Sequence, residues 1–88
     1  MYKVTKKEML RRRPDWMTTL LLNIHPSLYD KRPSANLCTE ALGTIREIIA
    51  KSKALLDGKH LHVKDNDNET VITNRNGRPY LKFTVEKV

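Results

Sequence analysis

The chain is poor in the residues that build most catalytic and cross-linked devices. One cysteine in 88 residues excludes an intramolecular disulfide framework and fits a reducing cytosol. There are three glycines and no Gly-rich phosphate loop, and neither a paired-acid motif nor a serine elbow is present. No stretch approaches the roughly 18 consecutive apolar residues of a membrane span. The start, Met1-Tyr-Lys-Val-Thr-Lys-Lys-Glu, has no apolar secretory leader. These absences predict a soluble, cytoplasmic protein with no membrane partner. With 39% hydrophobic residues, the 88-residue chain can form one core and therefore one domain, 1–88, without a large buried catalytic cavity.

What the chain has in excess is positive charge. Seventeen Lys and Arg stand against ten Asp and Glu, for a net +7. Residues 1–33 hold +5 of it (eight basic, three acidic), residues 34–58 are neutral, and residues 59–88 hold +2 (six basic, four acidic). Such an imbalance attracts polyanions, with an affinity that falls steeply as salt rises. It also lies in the range that solubility alone accounts for.

Local patterns predict two short N-terminal helices. Thr5-Lys6-Lys7-Glu8 has capping-box spacing, which starts a helix over 6–13 that Pro14 ends. Pro14 then opens a second helix with Trp16, Met17, Leu20, Leu21 and Ile24 on one face, stopped at His25-Pro26. Residues 25–35 read as a proline-stiffened loop pinned by Leu28 and Tyr29. Ser34 or Asn36 caps a long helix whose apolar stripe runs from Leu37, Cys38, Ala41, Leu42, Ile45, Ile48 and Ile49 to Leu55 and Leu56, closing at Gly58.

After Gly58 the period changes from 3.6 to 2. His60-Leu61-His62-Val63, Thr70-Val71-Ile72-Thr73 and Tyr80-Leu81-Lys82-Phe83-Thr84-Val85 alternate, with turns at Asn66-Asp67 and Asn76-Gly77. Both hairpins place Leu61, Val63, Ile72, Leu81 and Phe83 on one face, pairing Leu61 and Leu81 with Ile72, and Val63 and Phe83 with Thr70. Tyr2-Lys3-Val4 also alternates and could add an edge strand. The expected fold class is α+β: two short N-terminal helices and one long core helix (helical part 5–57) packed on a C-terminal three-stranded antiparallel β-meander (59–88).

The same register directs His60, His62, Lys64, Tyr80 and Lys82 to the opposite face, with Arg75 and Arg78 flanking the turn. Cations with a stackable ring suit nucleic acid, although an antiparallel sheet ordinarily keeps one face wet. Arg11, Arg12 and Arg13, with Lys6 and Lys7, form the densest basic cluster, on the short helix ending at Pro14. They are candidates for phosphate contact or for offsetting the carbonyls at a helix C-terminus. Trp16 and Cys38 read as core residues, since Cys38 has no adjacent base to activate it. His60-x-His62 is one ligand short of a zinc site, so no metal or cofactor is expected.

Non-catalytic binding of DNA or RNA is the leading expectation. Its contacts are Arg11, Arg12, Arg13, His62, Lys64, Arg75, Arg78, Tyr80 and Lys82, and no small-molecule substrate is evident. A second reading is a protein-binding regulator, for example a virus-encoded inhibitor of a host polymerase or nuclease. Such a regulator could take a partner strand at an edge formed by 59–64 or 79–88. A third is a metal-independent ribonuclease using His60 or His62, Glu69, Arg75, Arg78 and Tyr80. In size, charge and helices-then-sheet order the chain is similar to small bacterial RNA-cleaving toxins, a likeness of architecture that no residue motif carries.

Overall fold

The chain begins as a strand. In the computed structural model, which describes residues 1–53 and 61–88, Tyr2–Glu8 (β1) pairs along its whole length with Pro79–Lys87 (β4). The helix expected over 6–13 is absent, and this corrects the expected fold class. An eight-residue helix is marginal by itself, and this one would hold five cations and little apolar surface to bury. As part of the strand Tyr2–Glu8, the segment's first residues extend the pairing that begins around the fully buried Val4 and satisfy the backbone of a long β4 that would otherwise be a free edge. The capping box is dissolved accordingly. Thr5 Oγ1 donates to Glu86 Oε2 at 3.1 Å, and Glu8 turns to Arg13 and Lys6.

The remaining elements are helix α1 (Asp15–Leu22), a 3-10 turn (Pro26–Tyr29), helix α2 (Ala35–Ser52), β2 (Leu61–Asn66) and β3 (Glu69–Asn74). The sheet has four antiparallel strands in the order β1-β4-β3-β2. Among the described residues there are thus two α-helices and a sheet built from both ends of the chain, in place of three helices and a C-terminal meander. The final strand also lies inside the sheet, so its expected free edge does not exist. The helix-end readings at Leu55, Leu56 and Gly58, and the one at His60, lie outside the described residues.

The core forms where α1, α2 and one sheet face meet: Met17 and Leu20 from α1, Ile24 just beyond its end, Cys38, Leu42, Ile45 and Ile49 from α2, and Val4, Ile72, Leu81 and Phe83 from the strands. Each large aliphatic side chain buried there contributes about 1.5–3 kcal/mol. Ser34 caps α2, its hydroxyl accepting from the Leu37 N–H at 3.3 Å. Leu37 itself is 40% exposed and lies off the buried stripe. Tyr29 stacks on Phe83 with ring centroids 6.1 Å apart and planes at 11°. Arg32 holds the 3-10 turn by donating to the carbonyls of Ser27 and Asp30, both at 2.9 Å, while its backbone bridges to Tyr2.

Register departs from expectation at two points, each with a local cause. The β2–β3 turn falls at Asp67-Asn68, so Val63, not Leu61, faces Ile72. Asn66 Oδ1 accepts from the Asn68 N–H at 3.1 Å, and Arg46 of α2 donates to the carbonyls of Asn66 and Glu69, which pins the turn one residue later. A one-residue shift of the turn changes partners by two and keeps the faces. Between β3 and β4, Ile72 faces Leu81 and Thr70 faces Phe83, but Thr73 then pairs with Pro79. Tyr80 is therefore the extra residue of a bulge, next to a proline that has no N–H to give. Gly77, at φ +88°, closes the three-residue loop in a conformation that favours glycine.

Candidate nucleic-acid interface

α2 lies over β4, β1 and β3 on the core side. Among the described residues no helix covers the other face. Pairing across that outer face builds transverse rows. Lys7 faces Lys82, Lys82 faces Val71, and Val71 faces Lys64. Three lysines thus stand along a row about 14 Å wide, from inter-strand spacing alone. The Lys7–Lys82 pair sets like charges directly opposite each other, which lowers the stability of the sheet. Lys82 is partly offset by Glu69 Oε2 at 3.5 Å.

The next row contains Thr5, Thr84, Glu69 and Asn66, with Thr84 Oγ1 donating to Glu69 Oε2 at 3.1 Å. In the other direction His62 faces Thr73, and beyond it lies the β3–β4 turn with Arg75 and Arg78 exposed. The connection from β1 to α1 leaves at this same end, because Glu8 pairs with Leu81 and the Met9 N–H donates to the Tyr80 carbonyl at 3.0 Å. Arg11 and Arg12 lie exposed in that connection, outside any helix. The cations of 11–12, 75 and 78 are therefore brought to one end of the sheet. Asp65, Asp67 and Glu69 occupy the other.

Two expected contacts are placed elsewhere. Arg13 makes a bidentate pair with Glu8, both bonds 2.8 Å, so its guanidinium is already engaged. The Arg13 hydrogen bonds, with the charges of Arg13 and Lys6, hold the Glu8 carboxyl below its ordinary range despite partial burial. The bulge turns Tyr80 away from the outer face. Its ring is half-buried and tilted 45° against Trp16, with centroids 6.0 Å apart. Pro79 takes the outward place and lines an outer-face cavity with Val71 and Lys82. His62, Lys64, Arg75, Arg78 and Lys82 keep the exposed or half-exposed outer positions expected of them.

Of the residues proposed for ribonuclease chemistry that the structure describes, Glu69 lies apart from His62. Glu69 and Thr73, the strand partner of His62, are four residues apart on β3, or about 13 Å. Among the described residues no group of three or more His, Cys, Asp or Glu could hold a metal, and Cys38 is buried. Lys7, expected in the basic cluster of a helix, stands instead on the sheet face. The strand signal nearest it, the Tyr2-Lys3-Val4 alternation, ends before Thr5-Lys6-Lys7, which are polar throughout. Among the described residues no helix is long and apolar enough to cross a membrane. Comparison with known proteins adds no relative: no family model, curated protein or solved structure matches the chain.

Proposed function

We propose that this protein is a small, basic, non-catalytic nucleic-acid-binding protein acting in the cytoplasm. Lys7, Lys64 and Lys82 contact phosphates from the outer sheet face, and Arg75, Arg78, Arg11 and Arg12 extend that contact at one end. The observation that carries the reading is Lys7 set directly opposite Lys82 on a sheet face that no helix covers among the described residues. A like-charge pair that costs stability is one a row of phosphates would relieve. With Tyr80 folded against Trp16, the face offers cations and the exposed imidazole of His62, but no larger aromatic ring among the described residues. Binding is therefore driven by the phosphate backbone and tolerant of sequence.

The test is fluorescence anisotropy with labelled single- and double-stranded oligonucleotides between low and physiological salt. The reading expects log affinity to fall steeply with log salt, and Lys7→Thr and Lys82→Ala each to lower the slope by about 1. Affinity independent of salt, or no binding at low salt, would refute it.

A further inference from the structure

The outer face ends in a cavity that the lysine row does not explain. It has a volume of about 390 Å3 and lies between β2 and the β3–β4 turn, lined by His62, Lys64, Thr73, Arg75, Asn76 and Gly77 among others. Among the described residues no carboxylate lines it. Lys64 leans over the turn, with Nζ 3.7 Å from where a Cβ on Gly77 would stand. Among the described residues neither Lys64 nor Arg75 has an acidic partner. The turn's own N–H groups are spent internally: those of Asn76 and Arg78 donate to Asn74 Oδ1 at 2.8 and 2.9 Å, and that of Gly77 to the Asn74 carbonyl at 3.0 Å. Recognition in this cavity therefore falls to an ammonium, a guanidinium and an imidazole carried by two different segments.

We propose that this cavity is a phosphate site, taking the tetrahedral phosphoryl group of a nucleotide. Donors arriving from a strand and from a turn suit a three-dimensional oxyanion better than a planar carboxylate. A second cavity of about 290 Å3 adjoins it, sharing Lys64, Thr73 and Gly77 and adding Val71, Pro79 and Lys82, with Asp65, Asn66 and Glu69 on its far side. Its Val71 and Pro79 floor accommodates the less polar part of the same nucleotide, while Asp65 and the Glu69 carboxylate, 3.5 Å from Lys82, leave the phosphoryl group to the first cavity. Cavities of roughly 300 Å3 and upward hold small ligands. The identification with a nucleotide rests on the nucleic-acid reading above, whereas phosphate binding in the cavity can be measured without it.

The experiment is a titration of the uniformly 15N-labelled full chain with inorganic phosphate at constant ionic strength, followed by two-dimensional NMR. Expected are saturable shifts at His62, Lys64, Thr73 and residues 75–77, with Lys64→Ala and Arg75→Ala each weakening binding about tenfold. Both side chains are exposed, and the variants' own spectra report whether they are folded. Shifts that never saturate, that spread evenly to Arg11, Arg12 and Lys87, or that survive Arg75→Ala would overturn the site. A second arm compares oligonucleotides with and without a 5′-phosphate. Tighter binding of the phosphorylated one, lost in Arg75→Ala, assigns the cavity to a terminal phosphate. Equal affinities, both weakened by Arg75→Ala, assign it to an internal one. Oligonucleotide affinity that falls in Lys7→Thr but not in Arg75→Ala would overturn the cavity and leave the sheet-face reading standing. Phosphate binding without oligonucleotide binding would do the reverse.

Discussion

The two turns of the sheet use the same local device and are finished in opposite ways. Asn66 and Asn74 each fold their turn by accepting a backbone N–H two residues on, at 3.1 and 2.8 Å. The Asn66 turn is acidic, carrying Asp65, Asp67 and Glu69, and α2 reaches over to hold it. Arg46 donates to the Asn66 and Glu69 carbonyls, and its Nε lies 3.4 Å from Asp65. The Asn74 turn carries Arg75 and Arg78. Its internal bonds come from Asn74 alone, and its cations are left facing solvent. One end of the sheet has its charges tied to structure, while the other keeps them available to a polyanion. Net charge does not reveal this difference; position does.

If that contrast is correct, the largest effect comes from releasing the tethered end. Arg46→Ala removes two hydrogen bonds and the partner of Asp65, and should cost about 2 kcal/mol in urea unfolding. Amide exchange should accelerate around 65–69, with little change in oligonucleotide affinity. Equal loss of binding would mean that the acidic end also serves the interface. At the other end, Gly77→Ala forces a Cβ into positive φ, although the nearest atom, Lys64 Nζ, is at ordinary contact distance. Strain of about 1 kcal/mol is expected, together with weaker phosphate binding, because the turn carrying Arg75 is displaced.

The strands were legible from residue 61 onward because alternation there is paired with turn residues that stop it. The β3–β4 partners Ile72–Leu81 and Thr70–Phe83 follow from Asn76-Gly77 alone. The β2–β3 register did not follow, because the choice between Asn66-Asp67 and Asp67-Asn68 is made by Arg46, a residue of a different element. β1 was misread for a similar reason. Thr5-Lys6-Lys7-Glu8 is a sound helix start locally, and only the unsatisfied length of β4 outweighs it. The bulge at Pro79-Tyr80 is also non-local in its effect, since it moves a ring that alternation places outward into contact with Trp16. Of the binding face, the cations on β2, β4 and the turn could be read from parity. Lys7, and with it the opposed lysine pair, could not.

The opposed lysines make stability and binding move in opposite directions, which a purely structural surface would not do. Lys7→Thr removes the repulsion and places a strand-favouring side chain opposite Lys82. It should raise stability by about 0.3 kcal/mol while lowering the salt slope of oligonucleotide binding by about 1. A variant that loses stability would show that Lys7 is held by contacts within the sheet rather than left for a ligand.

The smallest effect belongs to the one cation at the basic end that is tied down. Arg13 keeps Glu8 ionised to lower pH than in the unfolded chain, where its ordinary value is 4.5. Below that value the unfolded state takes up the proton first. The contribution of the pair is therefore complete above about pH 5 and is lost as pH falls through the depressed value in the folded state. The stability difference between the protein and Arg13→Ala should then be present at pH 7 and fade as pH drops below 4.5 through the depressed value of the folded state. It will be small throughout, because the pair lies at the surface where solvent screens it. Oligonucleotide affinity should be nearly unchanged in the same variant, since Glu8 already occupies the guanidinium. A loss as large as that in Lys7→Thr would mean that phosphate displaces Glu8, extending the interface around the sheet edge to the side that faces Tyr29.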